Sequence, residues 1–209
     1  MPRRSKQLAV RDEFLILTNG RQTEKNYFEA IRANYRSIFK ISVKFLNDDP
    51  VALVNHAIAE KTDQNRVWCV FDKDEFTTAS IEQAMKTAKA NEIGVAFSNM
   101  AFEVWLIDHF EKCYNEKDAD KLFAEMDQLL KVNGYSKGYS KEDKQMMEEI
   151  LMPRLDEAVH NADVVMQTRV LQYQQTHKGE NYPVCDWNSF TSVHKLIEAL
   201  ALMVEEKDD

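Results

Sequence analysis

The sequence predicts an α/β fold: a small parallel sheet flanked by helices, followed by a helical C-terminal region. Three observations carry this. Short apolar runs alternate with amphipathic stretches four times before about residue 115. Each run is strand-length, and each intervening stretch repeats its apolar residues at helical spacing. From about residue 118 onward the helical spacing dominates.

"EFLILT", 13 to 18, is long enough for one buried strand, and "NG" then marks a turn. In "TEKNYFEAIRANYR", Tyr27, Phe28, Ile31 and Tyr35 share a helical face, with Thr23 as N-cap. "FKISVKFL", 39 to 46, alternates Ile41, Val43 and Phe45 as a strand does. Asp49-Pro50 is a cap and first-turn pair opening a second helix. Residues 67 to 71 form a third strand. "TTASIEQAMKTAKANE" is a third helix, "GVAFS" (94 to 98) a fourth strand, and "NMAFEVWLIDHFEKC" a strongly apolar fourth helix. Right-handed crossovers then place helices on both faces of the sheet.

Two further helices are expected in "DADKLFAEMDQLLKV" and "MMEEILMPRLDEAVHNADVVMQTRVLQYQQ". In them, Leu122, Phe123, Met126, Leu129 and Leu130 form one apolar face, and Val159, Val164, Val165, Leu171 and Tyr173 suggest others. "NGYSKGYSKED" and "GENYPVCDW" read as loops, and "SFTSVHKLIEALALMVEE" as a last helix capped by Ser189 or Ser192. The expected division is an α/β core over 1–115 and a helical region over 116–209 packed upon it.

Composition narrows the function. At 209 residues the chain suits one core with an appendage. A net charge of −8 argues against a basic nucleic-acid coat protein, but not against an enzyme whose acidic site recruits a cation. No apolar run approaches the roughly 20 residues that span a bilayer, and no signal-peptide pattern opens the chain. Cys69, Cys113 and Cys185 are scattered, and a reduced cytoplasm is the expected location.

Ligands of open α/β sheets bind beyond the carboxyl ends of strands. Three such ends are polar here: Thr18-Asn19-Gly20-Arg21, Asp72-Lys73-Asp74-Glu75, and Ser98-Asn99, with Glu103 shortly after. Asp72 and Asp74 are two apart, so in extended chain they point the same way, roughly 6.5–7 Å apart. Such a pair repels unless a cation, a proton or a lysine intervenes. Carboxylates are hard donors and favour Mg²⁺ or Mn²⁺. The plain alternative is that either aspartate caps the next helix. "NGRQTE" has a single glycine and is no phosphate-binding P-loop. The five histidines lack ligand spacing, and His109 on its apolar helix reads as a packed residue. Lys137 and Lys141 read as solvated charges, and Phe102, Trp105 and Phe110 as core.

"VWCVFDKDEF" followed by "GVAFSNMAFEVWLIDHF" resembles the bacterial RloB-like family. "LTNGRQTEKNYF" fits the family's opening motif, and "YSKGYSK", "NAD" and "NYPVCDWNSFTSVHKLIEAL" fit its tail. The resemblance runs over about residues 12 to 202, and SNxxFExWLxxHF is its most specific part. It implies a Toprim-like core that binds Mg²⁺ for phosphodiester chemistry on DNA or RNA. It also implies a bacterial defence or restriction-associated setting with an ATPase partner. Association with a second copy of the chain is expected from the apolar helices. Asp72 and Asp74 match the family's DxD, and Asn99 and Glu103 its second motif. On this basis Asp72 and Asp74 hold the metal, and Glu24 or Glu103 completes the shell or orients water. Arg21 and Lys73 offset phosphate charge, with Asn99 on the substrate side. The opening motif departs from the family's Glu-Gly-x-x-Thr-Glu: Asn19 stands where the first Glu is expected, while Thr23 and Glu24 are retained. Asparagine cannot act as a base and coordinates only weakly through its carbonyl. Either Glu24, Glu75 or Glu103 compensates, or the site binds metal without cutting, or the chain is an inactivated form.

Overall fold

Phe14-Leu15-Ile16-Leu17 is a continuous apolar run, the mark of a strand covered on both faces. In the computed structural model, described for residues 13–35, 40–73, 76–178 and 182–208, this run lies mid-sheet as β1 (Glu13–Thr18). Its neighbours are β2 (Lys40–Phe45) and β3 (Asn65–Asp72), both parallel. β4 (Gly94–Asn99) continues the parallel set beside β3, and β5 (Phe190–Thr191) closes the edge antiparallel. The order is β2-β1-β3-β4-β5. The chain moves outward from β1 to β2, then crosses back to β3. This reversal makes β1/β3 the switch point, where an open sheet leaves a crevice beyond its carboxyl ends.

Side chains alternate between two apolar layers, as the period of two requires. Phe14, Ile16, Val70 and Ala96 face one layer; Leu15, Leu17, Cys69, Phe71 and Phe97 face the other. The first layer holds α1 (Thr23–Tyr35), α4 (Glu103–Asp108), α5 (Ala119–Val132) and α8 (Val193–Asp208). The second holds α2 (Pro50–Glu60) and α3 (Thr78–Ala90). Asp49 caps α2 as expected, accepting the N–H groups of Val51 at 2.8 Å and Ala52 at 3.0 Å. Gly94 opens β4 opposite Trp68, and a Cβ there would meet the indole at 2.3 Å. The thiols of Cys69, Cys113 and Cys185 are free and buried. None of the described helices is long and apolar enough to cross a membrane.

Four boundaries differ from the sequence expectation. Gln22 rather than Thr23 supplies the first carbonyl of α1, accepting the Asn26 N–H at 2.9 Å. The fourth helix is only six residues long. It tightens at its end, where the Phe110 N–H bonds the Ile107 carbonyl at 2.8 Å, and the Asp108 carboxylate takes the Cys113 N–H at 3.2 Å. The long C-terminal helix is interrupted at Pro153, whose ring nitrogen donates no hydrogen bond. A short α6 (Lys144–Met146), a wide turn over Met147–Leu151 and a tight turn over Met152–Arg154 precede α7 (Leu155–Gln174). Finally, Ser192 does not cap α8 with its hydroxyl, which accepts the Phe97 N–H at 2.9 Å; Thr191 Oγ1 accepts the Val193 N–H at 3.2 Å instead. Leu122, Met126 and Leu130 are buried in the core, whereas Val132 and Leu171 are exposed.

All six residues of α4 are buried. A helix apolar on every side belongs inside a protein. Trp105 and Phe102 pack edge-on against Tyr27. His109 is packed here, as expected. Its Nε2 lies 3.1 Å from the Tyr27 hydroxyl and its Nδ1 3.0 Å from the Trp105 carbonyl. A neutral ring satisfies both, with Nδ1–H donating and Nε2 accepting. Burial lowers the His109 pKa to about 3 from an ordinary 6.5. The unfolded chain therefore takes up this proton below about pH 6.5 while the native ring refuses it until about 3. Stability is fully present above that window and falls as pH drops through it. Burial raises the neighbouring Asp108 carboxyl well above its usual range, so its effect has the opposite sign. The expected result is that His109→Gln is less stable than wild type at pH 7 but loses less on going to pH 5. Urea midpoints at the two pH values measure this. An equal or steeper loss in the variant would contradict the assignment.

Candidate functional site

At the end of β1 the Thr18 hydroxyl accepts the Gly20 N–H at 3.0 Å, turning the chain toward α1. At Gly20 a Cβ would lie 1.8 Å from the Glu24 carboxylate, so any larger residue would displace that acid group. The bare glycine lets Glu24, only 7% exposed, lay its acid group against the turn. At the end of β3, Asp72 is half-buried beside Ser98 of β4. These two strand ends form a crevice of about 250 Å³ whose lining includes Asn19, Gly20, Arg21, Glu24, Asp72 and Lys141. Asn19, Arg21, Glu24 and Asp72 are thus brought together as strand ends at a switch point should be.

The remaining expected residues divide. Asp74 and Glu75 lie outside the described residues. Lys73 and Asn99 both turn to one backbone group, the Cys185 carbonyl, each at 2.7 Å. They fasten the turn over Val184–Asp186 to the ends of β3 and β4. Glu103, 1% exposed, is the first residue of α4 and accepts a hydrogen bond from the Tyr139 hydroxyl. Burial first, then the charge of Glu103, pushes the Tyr139 phenol far above its ordinary range and keeps it a donor.

Tyr139 and Lys141 are the residues that sequence reading missed as site components. Both belong to the segment read as a turn-rich link. The Asn26 amide donates to the Lys141 carbonyl at 3.1 Å, Gln22 bonds Glu142, and the Tyr139 N–H bonds Asp127 at 3.0 Å. The loop is thereby strapped onto the first turn of α1.

Among the described residues, no group of three or more His, Cys, Asp or Glu side chains is arranged to hold a metal ion. Mg²⁺ does not need such a cage. It keeps several waters and binds through one or two carboxylates together with substrate phosphate. Glu24, Asp72 and Asn19 bring oxygen donors of that kind to the lining.

Sheet order and crevice define a doubly wound α/β protein with a polar cleft at its switch point, lined by charges of both signs. The model of the RloB-like protein family matches residues 14–200. The chain belongs to the RloB-like family. No curated relative and no solved structure matches it.

Proposed function

We propose that the chain is a metal-dependent effector of nuclease type, hydrolysing phosphodiester bonds in DNA or RNA. The observation that carries this reading is the meeting of Glu24 and Asp72 with Asn19 in one crevice at the β1/β3 switch point. The family resemblance adds a Toprim-like mode of action and a bacterial defence setting in the cytoplasm, beside an ATPase partner. The exposed Leu171 and Val132 are candidate contacts for that ATPase or for a second copy of the chain.

Asp72 and Asn19 would hold Mg²⁺ or Mn²⁺, and the family's DxD pattern adds Asp74 as a further carboxylate ligand. When bound, the ion polarises a phosphate oxygen and lowers the pKa of a water. Glu24, fixed against Gly20, orients the attacking water and takes its proton as the new P–O bond forms. The opposite P–O bond breaks, and its oxygen is protonated from solvent. Arg21, exposed at the rim, offsets the charge of the phosphate. Glu103 supports the site from behind through Tyr139.

Asn19 favours a second reading, a catalytically degenerate subunit that binds or regulates. It places a neutral group where the family pattern has a carboxylate. Labelled DNA and RNA incubated with wild type under a Mg²⁺ and Mn²⁺ titration separate the two. Weak cleavage is expected, rising in Asn19→Glu together with Mg²⁺ affinity. If neither protein cuts or binds metal, the nuclease reading fails and the regulatory one stands. If wild type cuts well and Asn19→Glu changes nothing, Asn19 is not at the reacting centre.

A further inference from the structure

Lys141 comes from a loop more than 110 residues beyond the β1 turn, yet it lines the same crevice as Asn19, Glu24 and Asp72. Three contacts place it. Its carbonyl is held by Asn26, its Nζ lies 4.8 Å over the Phe123 ring, and the same Nζ is 3.5 Å from Glu103 Oε1. The last contact is loose. Glu103 already accepts a hydrogen bond from Tyr139, so Lys141 is not its sole compensation. The lysine side chain remains 44% exposed. An ammonium on a fixed backbone, held by one ring face and one loose carboxylate contact and still exposed at the crevice wall, keeps donor capacity for a further anion.

We propose that Lys141 is a phosphate-binding cation of this crevice, contacting the phosphate group of a nucleic-acid substrate. This rests on the nuclease-type reading for the nature of the substrate, but not for the binding of phosphate itself. Glu103 and Tyr139 act as positioning residues, holding the lysine over the cleft in the absence of substrate. The geometry also limits the footprint. Among the described residues, Arg21 and Lys141 are the cations lining the crevice, so about two phosphates are neutralised there. Affinity for a single strand should then fall with salt at a log–log slope of about −1.4, since each contact contributes about −0.7.

The experiment uses the full chain, a labelled single-stranded oligonucleotide, and inorganic pyrophosphate as a separate probe. Ca²⁺ replaces Mg²⁺ so that the strand stays intact. Lys141→Gln is expected to weaken both probes about tenfold, the scale of one hydrogen bond to a charged group. It should also reduce the oligonucleotide salt slope by about 0.7. Lys141→Arg should restore both. Lys137→Gln removes the same charge from the same loop, where Lys137 bonds Gln145 at 2.7 Å, and should leave the slope unchanged. Acetylation footprinting of the wild type needs no variant: pyrophosphate should slow modification of Lys141 relative to Lys137. An unchanged slope in Lys141→Gln, or equal protection of the two lysines, overturns the proposal, as does failure of wild type to bind either probe. Lysine-dependent binding of pyrophosphate without binding of the oligonucleotide would uphold the phosphate site and reject the nucleic-acid reading.

Discussion

Trp105→Ala should destabilise the protein by about 3–5 kcal/mol, the range for removing a buried aromatic side chain. A domain is stable by only about 5–15 kcal/mol, so the variant should be substantially unfolded at moderate urea. The reason is position. Trp105 is fully buried in a helix with no exposed residue, against Tyr27 of α1 and His109. Trp105→Phe provides the contrast. The indole N–H is buried and finds no acceptor among the described residues. Phenylalanine removes that unpaired donor, itself a cost of about 1–3 kcal/mol, while keeping a ring in the cavity. The phenylalanine variant should therefore lie much closer to wild type. Urea midpoints of the three proteins decide this, and equal losses in Ala and Phe would show that ring packing is not what Trp105 contributes.

The same helix shows how far sequence reading reaches. The apolar turn Val104-Trp105-Leu106-Ile107 announced the burial of α4; β1, β3 and β4 were legible as short apolar runs ended by polar residues, and β2 by its alternation. β1 was expected over 13 to 18, where it lies. What sequence could not supply was the end of α4, because Asp108 ends it through a carboxylate bond to a residue five positions on. β5 is two residues long, and no periodicity shows in two residues. Pro153 is a helix breaker within a stretch of otherwise helical spacing. It interrupts what otherwise reads as one continuous helix.

The site divides along the same line. Asn19, Arg21 and Asp72 stand where a general rule ties ligand binding to strand ends at a switch point, and Glu24 was named only through the family's opening motif. Lys73 and Asn99 obeyed the rule in position but not in use, since the Cys185 carbonyl, far away in sequence, attracts both side chains. Lys141 is the converse. Nothing local distinguishes it from Lys137 four residues earlier, and only tertiary packing sets one over the crevice and the other against Gln145. A lysine in a turn-rich segment carries no signal of what the segment will fold against.

Asp72→Asn should remove divalent-metal binding and with it any phosphodiester cleavage. Changing an outer partner of a metal ligand costs about 10–100-fold in affinity, and a direct carboxylate ligand should cost at least as much. The loss has a readout independent of activity. A cation that binds only the native state raises stability by about 2.7 kcal/mol at a hundred times its Kd. Wild type should therefore melt higher as Mg²⁺ or Mn²⁺ is added, and Asp72→Asn should not respond. The crevice brings Asp72 together with Glu24, Arg21 and Lys141, so both signs of charge line it. The readout is therefore the response to added cation, compared with each protein's own metal-free melting point. A variant that melts lower without metal, yet still gains stability when Mg²⁺ is added, would show Asp72 to be a structural residue and place the cation elsewhere.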